Sequence, residues 1–77
     1  LPDERHLRLF HELRERQTWE RQEIVSACQE KGLIPDGALE ALNSWSRASV
    51  FAPLADDGDP VFIDLAVAAE LLRKLPS

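Results

Sequence analysis

Between residues 18 and 45 two short helical patterns meet at Gly32-Leu33 and Pro35-Asp36-Gly37, and this junction constrains the fold more than any other segment. A glycine just past one helix and a Pro-Asp pair opening the next punctuate a helix-turn-helix. Thr18 is placed to cap a helix over residues 19–31 with Ile24, Ala27 and Cys28 inward. Gly32 ends that helix and Leu33 packs back on it. The next helix starts at Pro35 or Asp36. Its expected inner face is Ala38, Leu39, Leu42, Trp45 and Ser49, which leaves Asp36, Glu40, Asn43, Ser44 and Arg47 outward, where a nucleic-acid reader keeps its reading residues.

Upstream, residues 3 to 16 read as a first helix with Leu7, Leu9, Phe10 and Leu13 on one arc. Glu4, Arg8, Glu12 and Arg16 lie opposite as a solvated i, i+4 ladder. After Ser49 the period changes, and two β-prone runs flank Ala55-Asp56-Asp57-Gly58-Asp59-Pro60, the pattern of a hairpin. With Asp57-Gly58 as the turn, Leu54 faces Val61, Ala52 faces Ile63, and Pro53 meets Phe62 on the other side. Pro53 cannot donate to a ladder on both sides, so a two-stranded or edge ribbon is expected. Asp64 then caps a last helix with Ala68, Leu71, Leu72 and Leu75 inward, and Pro76 stops it. The expected architecture is mainly α with a β-hairpin, a winged helix-turn-helix-like domain of three helices, a hairpin wing over 50–63 and a C-terminal helix.

Seventy-seven residues hold one core, and a domain this small buries only roughly 60% of its unfolded surface, so few large apolar residues remain for a ligand pocket. The chain has no methionine and opens at Leu1-Pro2-Asp3, from which we expect residues 1–77 to be one domain of a longer multidomain protein. The lone Cys28 supports neither a disulfide nor a metal site and fits a buried, inert thiol in a cytoplasmic protein. No apolar run approaches a membrane span, and no signal peptide is visible.

Nine Lys and Arg against fourteen Asp and Glu give a net charge of −5, the wrong sign for a nucleic-acid domain. The wing tip repeats the message, because Asp56, Asp57 and Asp59 stand where a phosphate-binding wing carries cations. Those three aspartates offer oxygen ligands to calcium or another divalent cation, without the spacing of a calcium-binding loop. His6 and His11 are wrongly spaced to clamp a metal from one helix face, and no nucleophile, base and orienter can be assembled. An interaction surface is the remaining reading: Glu40, Asn43, Ser44 and Arg47 on the third helix, with Phe51 and Phe62 exposed if the last helix leaves them uncovered. Trp19 and Trp45 are expected in the core.

The segments Trp19-Glu20-Arg21-Gln22-Glu23, Gly32-Leu33, Asp36-Gly37-Ala38-Leu39-Glu40 and Asn43-Ser44-Trp45 resemble the TerB-C domain found at the end of bacterial tellurite-resistance proteins. The resemblance covers residues 5 to 66, and departs from the family in Ser46, where alanine is usual, and in the hairpin. It implies a non-catalytic accessory module of a cytoplasmic stress-response protein, and net charge and size favour a protein partner or other domains of its own chain as the target. Its acidic and polar positions are also proposed to chelate metal. The matched residues here are Arg21, Glu23, Asp36, Glu40, Asn43 and Trp45, and Glu23, Asp36 and Glu40 form the acidic subset.

Overall fold

The computed structural model describes residues 1–76, and α3 (Pro35–Val50) runs through its middle, touching α1 (Glu4–Leu13), α2 (Arg21–Glu30), α4 (Leu65–Lys74) and strand β2 (Ala55–Asp56). Two further strands, β1 (Thr18–Trp19) and β3 (Val61–Ile63), complete a small antiparallel sheet of order β1-β3-β2. The expected mainly helical α+β class is therefore observed.

Local chemistry explains most boundaries. Asp3 caps α1 by accepting from the His6 N–H at 3.0 Å, and that bond, with a second from the His6 ring, holds the Asp3 carboxyl below the usual range. Gly32 adopts φ +70°, the left-handed conformation that glycine takes without strain, and the Leu33 N–H donates to Cys28 O at 2.9 Å to close the cap. Pro35 opens α3, where its missing N–H would have had no partner anyway. Asp64 caps α4 by accepting from the Ala66 and Val67 N–H groups, both at 3.1 Å.

The core gathers Leu9, Phe10 and Leu13 from α1, Ile24, Ala27 and Cys28 from α2, Leu39 and Leu42 from α3, and Ala68 and Leu71 from α4. Burial raises the Cys28 thiol pKa, as expected for an inert cysteine. Trp19 is buried and its Nε1 donates to Leu13 O at 3.0 Å and Arg16 O at 3.2 Å, with the Arg16 guanidinium over its ring. Trp45 is only half-buried, edge-on to Phe10 at 5.2 Å.

Several expectations are corrected. Thr18 does not cap α2: it sits in β1, and Glu20 begins α2 through a reciprocal capping box with Glu23. Among the described residues the ladder charges Glu4, Arg8, Glu12 and Arg16 do not pair with one another. Glu12 instead binds Lys31 at 2.5 Å and Arg16 binds Glu23 at 2.6 Å, so both tie the α1 region to α2. In α4, Val67 joins Ala68 and Leu71 inside, whereas Leu72 is exposed.

The hairpin register also differs. β3 keeps its expected faces, with Val61 and Ile63 buried and Phe62 outward, but Ala55 faces Ile63 and Asp56 faces Phe62. Ile63 thus faces Ala55 where a turn at Asp57-Gly58 would have set it against Ala52, a shift of three residues along β2. The observed register leaves Pro53 and Pro60 both outside the strands. With neither proline in the ladder, β3 is free to pair on its second edge, and Trp19 meets Val61 there. β3 is thus the central strand of a three-stranded sheet, with β2 at its edge.

Candidate functional site

An open groove of about 490 Å³ lies between the outer side of α3 and the hairpin, and it collects most of the residues singled out in the sequence. Glu40 and Arg47 form its α3 side, Pro53 and Phe62 supply apolar surface, and Asp56, Asp57 and Asp64 stand along the hairpin side. Phe62 is 42% exposed, so α4 leaves it uncovered.

Asn43 reaches this groove from beneath. It is buried, its Oδ1 accepts from the Leu54 and Ala55 N–H groups at 3.0 and 2.8 Å, and its Nδ2 donates to Ala55 O at 3.0 Å. Three backbone groups leading into β2 thus depend on one side chain. One turn on, the Ser46 hydroxyl, also buried, donates to Ala52 O at 2.5 Å. Asn43 is therefore a clamp under the groove and not an outward contact. The inner stripe of α3 is Ala38, Leu39, Leu42, Asn43 and Ser46, a rotation from the expected face that a reading of Leu39, Leu42, Asn43 and Ser46 at helical spacing would have found.

The hairpin is tied down at its tip as well. Arg21, on the first turn of α2, donates to Asp57 and, at 3.3 Å, to Asp36 at the start of α3. The Asp57 bond is the main cause of the raised Arg21 pKa. An aspartate engaged in this way is a poor start for an ion site, since a cation would have to displace the guanidinium. The other acidic candidates are dispersed: Glu23 accepts from Arg16 and from the Glu20 N–H, which together hold its carboxyl below the usual range, and Glu40 lies 4.0 Å from Arg47. Among the described residues no group of three or more His, Cys, Asp or Glu is placed to hold a metal ion.

Two other expected contact residues fall outside the groove. Ser44 is exposed on another side of α3, where it lines a shallow hollow with Leu1, Pro2 and Trp45. Phe51 closes α3 and is 92% exposed; it borders a neighbouring hollow of about 410 Å³ with Val67 and Glu70.

Fold and groove together define a small, mainly helical α+β domain that presents a partly apolar, mostly acidic face braced from inside by polar side chains. The TerB-C domain family model matches residues 3–72, so the chain belongs to the TerB-C family and is a tellurite-resistance-related domain. No curated protein and no solved structure gives a match. The motif residues now have local roles: Arg21 and Asp36 pin the hairpin tip, Glu23 caps α2, Asn43 clamps β2, and Trp45 packs on Phe10. No helix among the described residues is long and apolar enough to cross a membrane.

Proposed function

We propose that this domain is a non-catalytic accessory module of a bacterial tellurite-resistance or stress-response protein in the cytoplasm, docking on a protein partner or another domain of its own chain. The observation that carries this reading is the α3–hairpin groove: Pro53 and Phe62 lie exposed beside Glu40 and Arg47, on backbone held fixed by Asn43. Exposed apolar side chains on a rigid frame suit protein contact, because little ordering entropy is lost when the partner arrives. The order of α2, α3 and hairpin supports a winged-helix reading of the scaffold. Its acidic groove argues against a duplex, whose affinity comes largely from cations on phosphate.

A photo-crosslinking amino acid at position 62 of the full-length protein in cells tests this, with position 29 on the exposed side of α2 as the control. Discrete protein adducts from position 62 and none from position 29 are expected. Nucleic-acid adducts, or equal yields from the two positions, would overturn the reading.

A further inference from the structure

The outward face of the sheet sets an aromatic ring between two carboxylates. Thr18 and Asp56 are the cross-strand partners of Phe62, and residues so opposed hold their Cβ atoms about 5 Å apart on one face. Asp64 follows on that face, because β3 alternates Val61 in, Phe62 out and Ile63 in, and the backbone stays extended at Asp64, with φ −79° and ψ 101°. The ring thus has Asp56 beside it and Asp64 beyond it, and all three line the α3–hairpin groove.

The charge of this face is one-sided. Among the described residues that line the groove, Glu40, Asp56, Asp57 and Asp64 stand against a single cation, Arg47. Arg47 pairs with Glu40, and Asp57 is held by Arg21, whereas Asp56 and Asp64 have no ion-pair partner among the described residues. Lys74 lines the neighbouring hollow with Asp64 but is not paired with it. The capping bonds of Asp64 use Oδ1 alone, which leaves Oδ2 for another donor. The ring is also free of a cation, since the one cation–π contact among the described residues is that of Arg16 on Trp19.

We propose that Phe62, Asp56 and Asp64 form a subsite for the side chain of an arginine or lysine on the partner protein. An aromatic face carries the negative part of the ring quadrupole, so the ring and the two carboxylates attract the same charge. The aliphatic stem of such a side chain covers apolar surface while its head meets the carboxylates, which suits a groove that exposes Pro53 as well as Phe62. A bare calcium ion fits less well, because it takes six to eight oxygens and the ring supplies none. An acidic segment would be repelled. The subsite rests on the docking reading above and adds the sign and kind of side chain that the partner presents.

Selection of a random-peptide library on the immobilised full-length protein tests it, followed by titration of the enriched peptides into variants whose folding is checked by circular dichroism. Enriched peptides are expected to carry Arg or Lys. Replacing that residue by an uncharged isostere, citrulline for Arg or norleucine for Lys, should weaken binding about tenfold or more. Asp56→Asn combined with Asp64→Asn, which keeps a capping side chain at position 64, should weaken it about fivefold and remove most of its salt dependence. Phe62→Leu keeps an apolar side chain without the aromatic face and should weaken it about two- to fivefold. Affinity unchanged by the isostere, by the paired Asp→Asn changes or by Phe62→Leu would overturn the subsite. Peptides enriched in Asp or Glu, or no enrichment over a blank surface, would overturn it too, and the crosslinking at position 62 would then decide by itself whether the groove docks protein.

Discussion

Asn43 and Phe51 belong to the same helix, and each sits where side-chain polarity alone would not put it. The amide is buried under the hairpin with three backbone partners, and the phenyl ring is in water on a strained backbone. The polar residue is inside because the strand that follows the helix has N–H and C=O groups to satisfy, and a buried amide satisfies them with little loss. The apolar residue is outside with no such compensation. Burial of a polar group therefore marks architecture in this domain, and exposure of an apolar one marks the surface on which we propose that it docks.

The severest way to break that contrast is to make position 43 apolar. Asn43→Leu keeps the branched shape but strands the Leu54 and Ala55 N–H groups and Ala55 O, and we expect a loss of about 3 kcal/mol in urea unfolding. A change under about 1 kcal/mol would mean that the clamp is dispensable. Next in size is Trp19→Phe, which removes the Nε1 bonds to Leu13 O and Arg16 O and should cost about 1–2 kcal/mol. Ser46→Ala, which deletes one hydroxyl bond to Ala52 O, should cost about 1 kcal/mol, measured in the same way.

The smallest effect concerns pH. Arg16 and the Glu20 N–H keep Glu23 ionised below the usual glutamate range. A lowered pKa in the folded state means that its stabilisation is fully present above the unfolded value and is lost as pH falls through the folded one. The melting-temperature difference between the protein and Glu23→Gln should therefore be largest near neutral pH and shrink on acidification. A difference that grows in acid would reverse the sign.

The helices were legible because their ends carry strong local chemistry: Gly32 and Asp64 announce a stop and a start within a few residues. The sheet was less so. Thr18-Trp19 is too short to show a period, and only its distant partner Val61 makes it a strand. The register is held by the bonds of Asn43 to Leu54 and Ala55, long-range contacts that no local pattern in the hairpin announces. At the candidate site, Glu40, Arg47, Phe62 and the wing aspartates were found as surface residues, and so was Ser44, which lies apart from the groove, whereas Asn43 was assigned to the wrong face. Nothing local distinguishes Phe51 as the residue that ends α3 left-handed, because that conformation is set by the path of the chain toward Ala52, which Ser46 holds in place.

Phe51→Gly brings both halves of the contrast into one sample, since glycine relieves the positive φ and deletes the exposed ring together. Urea unfolding and partner binding measured on that variant should move in opposite directions. We expect stability to rise by about 0.5–1 kcal/mol while binding that engages the exposed ring is lost. Reduced stability with binding intact would contradict it, and would make Phe51 a structural residue after all.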